Sequence, residues 1–346
     1  MLQNQVFYII LNLIKSKRYK DKTVFKKGVK ILRARIGAES NKKSLLPLFP
    51  LKIEVESLLT DFKSVEKIPF SKNLDGYIIV EEASTTPSFE FSGEKAEFKA
   101  PFSRLIQDAS DLRFSLWGNQ GFLYRYTLYL LEKKHRILNL HACALYSENK
   151  NHLYLVIGGA GSGKTVYLLS GLAKGLKLFS TETVHFRIER NNIAWFMGSL
   201  VDNVRLDTLK NHFPQYIRNI DAQGAVDEWQ KKIALDLSPY RTDFEELRTP
   251  DAVIILYPRI EEGRKGFLFY PIRDKKIAAK LLFDNITQKI SETVILYDRI
   301  PVLGIDEKEM AVTRLEHANK VVSHETVKII ASVLSNPDEC WGDLLR

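Results

Sequence analysis

At 346 residues the chain is long enough for two domains at roughly 100–200 residues each. A hydrophobic content of 45% with 27% charged residues excludes a disordered or collagen-like protein, and two cysteines, Cys143 and Cys340, are too few for a disulfide framework or a four-cysteine zinc site. The net charge of +9 is local: residues 1–43 hold nine Lys and three Arg against Asp21 and Glu39, so the remainder is close to neutral, unlike a body built for nucleic acid.

The first apolar run, Val6 to Leu11, breaks at Asn12, far short of the roughly 20 residues that a membrane-crossing helix requires. Charges follow it and no small-residue cleavage site appears, which reads as a cytoplasmic chain without a signal peptide. From Phe7 to Ile36 apolar residues recur at three and four with Lys and Arg between them. That spacing predicts a basic helical arm over residues 1–45, packed on the body or touching an acidic partner or a membrane surface. Leu46-Pro47 and Phe49-Pro50 break the pattern and open a small α+β region over 46–135. There Gly76–Val80, Phe89–Phe91, Ala96–Phe98 and Arg113–Trp117 read as strands, and Gly121–Lys134 as a helix.

From residue 136 to 346 strands alternate with helices, the pattern of an α/β domain with a partly parallel sheet. Leu153–Ile157, Ala252–Leu256 and Thr293–Tyr297 are unbroken apolar runs, as strands buried on both faces require. Directly after the first comes Gly158-Gly159-Ala160-Gly161-Ser162-Gly163-Lys164-Thr165, the P-loop pattern of Gly, four residues, Gly, Lys and Ser or Thr. Glycines let the backbone curl until its N–H groups converge on phosphate oxygens. Lys164 then brings a charge to the β and γ phosphates, Thr165 a hydroxyl to Mg²⁺, and the following helix its positive end. The pattern calls for a nucleoside triphosphate, expected to be ATP, with Mg²⁺.

The flanks resemble one family. Leu140-His141-Ala142-Cys143 precedes the P-loop strand, and Gly175-Leu-Lys-Leu178 leads into Phe179-Ser-Thr181-Glu182. This order is similar to the catalytic domain of the HPr kinase/phosphorylase family and its serine-kinase-like relatives, within the phosphoenolpyruvate carboxykinase structural group. The resemblance covers about residues 113–200. It implies a mixed-sheet P-loop domain, a neighbouring strand bearing a histidine, and transfer of the γ-phosphoryl group to a hydroxyl, that of a serine in a protein or peptide or of a small molecule. Where the family has two adjacent aspartates the chain has Thr181-Glu182, and no equivalent of the family's later signature segment is evident.

Glu182 lies eighteen residues past Lys164 at the end of the next strand. Strand ends collect at the ligand crevice of an open parallel sheet, which makes it the carboxylate for Mg²⁺ or for the acceptor proton. His141, on an adjacent strand, is placed either to tune that chemistry or as a buried structural ring. Cys143, two residues on, suits the core. Asp236 and Asp298, each ending an apolar run, are weaker acids of the same kind. Lys231, Lys232 and Arg205 are cations for a phosphate or an acidic substrate, or solvated surface, and Trp195, Trp229 and Tyr240 suit the core. Three functions remain open: a kinase, a nucleotide-binding regulator or slow NTPase with little transfer, and a protein that binds nucleic acid through its basic arm. Self-association is compatible with each.

Overall fold

A computed structural model describes residues 24–46, 62–63, 65–71, 73–159, 161–190, 192–217, 232–260, 268–334 and 337–346. The first surprise is where the basic segment goes. Residues Phe25–Ile31 (β1) and Ala34–Ser40 (β2) form an antiparallel hairpin turned at Leu32, whose φ is 54°. The helix expected through Ile36 is therefore strand from Phe25 on, and the part of that expectation over residues 1–23 lies outside the described residues. The period of two won because Val29, Ile31, Ala34 and Ile36 are buried, while Lys26 and Lys30 sit at the surface against Glu39 and Glu66.

The hairpin belongs to a six-stranded sheet with Val65–Ile68 (β3), Gly76–Glu82 (β4), Ser88–Phe91 (β5) and Lys95–Ala100 (β6), in the order β3-β1-β2-β4-β6-β5. Helices follow at Phe102–Asp108 (α1) and Phe122–His135 (α2). The expected strand at Arg113–Trp117 is instead a 3₁₀ turn over Leu112–Phe114, with the Asp111 side chain accepting from the Arg113 N–H. Every residue of α2 from Phe122 to Glu132 is buried, so the helix is enclosed on all sides.

The rest of the chain builds on strands Leu138–Leu140 (β7), Ala142–Ser147 (β8) and His152–Ile157 (β9), then the P-loop helix Lys164–Ala173 (α3). Lys177–Ser180 (β10), Val184–Glu189 (β11), Asn192–Phe196 (β12), Val201–Arg205 (β13), Leu206–His212 (α4), Lys232–Asp236 (β14) and Glu246–Leu247 (β15) follow. Ala252–Ile260 (β16), Leu268–Pro271 (β17), Lys275–Ser291 (α5), Val294–Leu296 (β18), Ile300–Val302 (β19), Lys308–Ser323 (α6), Val327–Leu334 (β20) and Pro337–Leu344 (α7) complete it.

The central sheet runs β10-β8-β9-β16-β20-β17, with β9, β16 and β20 parallel and the others antiparallel. The architecture is thus mixed α/β. Side chains of α3 and α7 pack on one face and those of α5 and α6 on the other, which buries Leu155, Ile157, Val156 and Leu256 from both sides. Trp341 of α7 is fully buried and donates its indole N–H to the Tyr167 carbonyl at 2.9 Å, pinning the P-loop helix. A second, antiparallel sheet, β15-β12-β11-β7, lies alongside.

The apolar run Thr293–Tyr297 is not a central strand. Its core, β18, pairs only with β19, and Val294, Leu296 and Tyr297 join the buried cluster of the first sheet and α2. Arg314 of α6 is wholly buried, forked onto Glu132 of α2 at 2.9 Å and onto Asp306, so the last third of the chain is clamped to the N-terminal sheet layer by charge as well as by apolar contact.

Candidate functional site

The P-loop leaves β9 at Ile157 and enters α3 at Lys164. Gly161 and Gly163 have φ of 79° and 88°, the left-handed region that side chains with a Cβ resist. A Cβ on Gly159 or Gly161 would meet nothing within 4 Å, so the loop borders an open crevice. Ala160 lies outside the described residues. Lys164 folds back on its own loop, its Nζ donating to the carbonyls of Gly158 at 2.8 Å and Gly159 at 3.0 Å. Burial pulls its pKa down, and the nearby Glu182 charge opposes that. The Ser162 hydroxyl is buried in the loop without a partner among the described residues.

Three further strands converge on the loop. Glu182 follows β10, and its carboxylate lies 3.9 Å from Nδ1 of His141, which stands between β7 and β8. His141 is fixed by its backbone: Asn285 of α5 accepts from its N–H at 2.8 Å and donates to its carbonyl at 3.0 Å. Burial first, then the charges of Lys164 and Lys289, push the imidazole down to about 3, so the ring is neutral at physiological pH. Cys143 is fully buried, its Sγ 3.4 Å from the Lys164 carbonyl, and burial drives its thiol pKa up, so it is an inert core thiol.

The residue that sequence reasoning missed is Asp202 on β13. Only 2% exposed, it accepts a hydrogen bond from the Thr165 hydroxyl and another from the Asn203 N–H, and it faces Glu182. Its Oδ2 has no hydrogen-bond partner among the described residues. Burial, reinforced by the Glu182 charge, holds its pKa well above the ordinary carboxylate range. Two carboxylates therefore do meet at the loop, but from different strands. Thr181, where the resemblance places one of them, is turned away: it is 2% exposed and its hydroxyl donates to the Val201 carbonyl at 2.7 Å. Thr181 thereby holds the start of the strand that delivers Asp202. Gly198 permits the same crossing, since a Cβ there would stand 1.6 Å from the Thr183 carbonyl oxygen. The available signal was the Val201-Asp202-Asn203 strand after a glycine, which is indistinguishable from any polar residue in a short strand.

Lys289 was also unmarked in the sequence. It lies one turn beyond Asn285, carries no ion pair among the described residues, and its charge is felt by both His141 and Lys164. Two like charges acting on the same neighbours make this region anion-seeking.

The weaker candidates go elsewhere. Asp236 is exposed and caps a turn by accepting from the Ser238 N–H at 2.9 Å. Asp298 accepts from the Ser110 N–H at 2.7 Å in the β18–β19 hairpin, within the N-terminal layer. Lys232 is exposed on β14, and Arg205 sits at the foot of α4. Lys231 and Trp229 lie outside the described residues. Trp195 is a core residue against Phe186, whereas Tyr240 is not core but 41% exposed, its ring edge-on to Tyr216.

A divalent cation fits this donor set. Mg²⁺ takes one or two carboxylates with a hydroxyl, waters and substrate phosphates rather than an all-protein cage. No cluster of three or more His, Cys, Asp or Glu able to hold a metal occurs among the described residues, and none is required for such a site. The orphaned Oδ2 of Asp202 beside Thr165 is the kind of buried acceptor that a cation would satisfy.

No protein-family model matches the chain, and no curated protein matches it. Among solved structures it is similar to the Hpr(Ser) kinase/phosphatase from Coxiella burnetii, 16% identical over 38% of this chain and 75% of that one, with a TM-score of 0.23. No helix among the described residues is long and apolar enough to cross a membrane.

Proposed function

We propose that the chain binds ATP with Mg²⁺ at the P-loop and passes the γ-phosphoryl group to a hydroxyl. The observation that carries this reading is the meeting of Lys164, Thr165, Asp202 and Glu182 at one loop, two cation-seeking carboxylates beside an anion-seeking ammonium. Loop amides and Lys164 hold the β and γ phosphates. Lys164 leaves the carbonyls of Gly158 and Gly159 to do so, exchanging two neutral acceptors for a charged one. Thr165 and Asp202, with Glu182 beside them, would hold Mg²⁺, which supplies charge neutralisation at the phosphate oxygens when bound.

Glu182, 27% exposed at its side chain and so reachable from the crevice, takes the acceptor proton. His141 contributes as a neutral ring. At a pKa of about 3 it is too weak a base to remove a proton itself, and it orients Glu182 instead. Phosphoryl transfer asks for little more than positioning and charge, which these residues supply.

The test is nucleotide binding and transfer in two variants. Lys164→Met should fold normally and lose at least tenfold in ATP affinity, about 1.4 kcal/mol. Glu182→Gln should bind ATP nearly as the parent does and lose on the order of 10²–10⁴ in transfer. Unchanged ATP affinity in Lys164→Met removes the P-loop from the mechanism. The second reading, a slow NTPase or nucleotide-dependent regulator, draws on the low basicity of His141. ATP turnover that no acceptor stimulates would favour it.

A further inference from the structure

Beside the loop lies a cavity of about 400 Å³. One side is the end of β9 with the first two loop glycines, Gly158 and Gly159; Tyr257 of β16 and the helix α5 form the rest. Asp284, Asn285, Gln288 and Ser291 of α5 line it at helical spacing, while Leu282, Ile286 and Ile290 on the other flank are buried in the body. Asn285 of this stripe is buried while Asp284, Gln288 and Ser291 are exposed, so a helix face of neutral amides and hydroxyls borders a phosphate-binding loop. The lining mixes apolar groups, from Ile157, Tyr257, Leu281 and Phe283, with polar ones that are almost uncharged: amides and hydroxyls, and the one carboxylate, Asp284, is paired with Lys280 at 2.5 Å. The Thr287 hydroxyl on the same wall is buried without a partner among the described residues.

Asn285 ties this cavity to the reacting groups. It lines the wall and grips both backbone polar groups of His141, whose ring stands 3.9 Å from Glu182. The cavity is thus connected to Glu182 through Asn285 and His141. Resting on the kinase reading, we propose that this cavity receives the phosphoryl acceptor, and that the acceptor is a small, uncharged, hydroxylated molecule. The volume suits a metabolite-sized compound. Amide and hydroxyl donors and acceptors match hydroxyl groups, and no cation is among the lining residues, the charge of Lys289 acting instead on His141 and Lys164. In the reaction the acceptor oxygen forms a bond to the γ-phosphorus as the bond to the β–γ bridging oxygen breaks; that electron pair leaves with ADP, and the hydroxyl proton passes to Glu182.

The experiment has two arms, with ATP·Mg²⁺ binding measured alongside. In the first, Ser291→Cys is alkylated with iodoacetamide with and without a non-hydrolysable ATP analogue and Mg²⁺. The native thiols, Cys143 and Cys340, are both fully buried and leave the new one as the reactive group. Alkylation that changes less than about twofold on nucleotide binding is expected, because the cavity stays open for the acceptor. Protection of tenfold or more would mean that the nucleotide itself fills the cavity and would overturn the proposal.

In the second arm, transfer from ATP is measured to glycerol, glucose and myo-inositol, and to a serine-containing peptide. The parent, Gln288→Trp and pre-alkylated Ser291→Cys are compared, the last being filled only after folding. Transfer to a small polyol that falls at least tenfold in both filled forms, with ATP affinity within twofold, supports the proposal. Peptide phosphorylation that survives in both filled forms overturns it. Where none of these probes is phosphorylated, the alkylation arm decides. A parent protein that binds no ATP defeats the kinase reading itself, which the binding measurement reports separately.

Discussion

Asp202 sits where a carboxylate is costly unless something repays the loss of water. Thr165 and Asn203 each give it one hydrogen bond, Glu182 adds a like charge and a shared side-chain hydrogen bond, and Oδ2 has no further partner among the described residues. In the free protein burial and the Glu182 charge both push its pKa up, and a divalent cation beside Thr165 would push it back down. Asp202→Asn should therefore leave thermal stability unchanged or raise it, since a strained buried carboxylate is gone. The same change should raise the Mg²⁺ concentration required for ATP binding by at least the roughly 10–100-fold that loss of even an outer partner costs a metal site. A Mg²⁺ titration of nucleotide affinity in parent and variant checks this, and an unchanged midpoint would detach Asp202 from the cation. Thr181 carries the complementary lesson. Its hydroxyl is spent on the Val201 carbonyl in a dry setting, so Thr181→Asp adds a buried charge rather than a second catalytic acid.

At the level of elements, the site depends on β13 arriving tightly against the end of β10. The Thr181 N–H donates to the Ser199 carbonyl at 2.9 Å, the Ser199 hydroxyl donates to the Val201 carbonyl at 2.8 Å, and Gly198 passes under the Thr183 carbonyl. Because a Cβ at 198 would overlap backbone that has no rotamer by which to escape, Gly198→Ala should push the two segments apart. Overpacking of this kind costs about 1–3 kcal/mol. The expected result is a lower melting temperature, together with the Mg²⁺ requirement of Asp202→Asn although no ligand has been removed. A variant that melts lower but keeps the parental Mg²⁺ midpoint would show that the crossing serves stability alone. The helix α5 plays the matching part on the other face of the sheet, where Asn285 and Lys289 bring an amide and a charge to the same crevice.

Over the whole molecule, burial makes stability sensitive to acid. His185 is fully enclosed, stacked on Phe62 at 5.2 Å, and neither ring nitrogen has a partner among the described residues. Burial drives its pKa down to about 3. An unfolded histidine binds a proton below about 6.5, whereas this one stays neutral, so its contribution to stability is present above that pH and is lost as pH falls toward 3. His185→Phe preserves the stacked ring and removes the titration. The difference in unfolding free energy between variant and parent should move in favour of the variant by about 1.6 kcal/mol between pH 6.5 and pH 5. Denaturant titrations at the two pH values measure it, and a difference independent of pH would mean that the ring is hydrated in the native state.

The N-terminal layer makes a second prediction at this scale. Because β1 and β2 are neighbours inside a six-stranded sheet, deleting residues 1–43 should unfold that layer and lower the melting temperature, whereas a truncation at residue 23 removes none of its strands. If the truncation at 23 alone abolishes binding to anionic vesicles at low salt, the basic segment is an electrostatic tether. Unaltered vesicle binding would assign its charge to the surface of the sheet instead.

The sequence by itself determined the P-loop, its strand and its helix, because each demand there is local: glycines at left-handed positions, an apolar run before them, a lysine and a threonine at fixed spacing. It also determined the strands at Gly76, Ala96 and Ala252 and the helix after Gly121, whose periodicity and burial agree. It misjudged Phe25–Ile36, where apolar residues and lysines fit a helix and a hairpin alike, and only pairing with β3 and β4 settles which face is buried. It likewise took Thr293–Tyr297 for a central strand, since an apolar run does not state which core it joins. The second carboxylate was decided by tertiary structure alone. Asp202 reaches Glu182 from a strand twenty residues later, through a glycine crossing and a buried threonine, and no local pattern encodes a meeting between strands that are not neighbours in the chain.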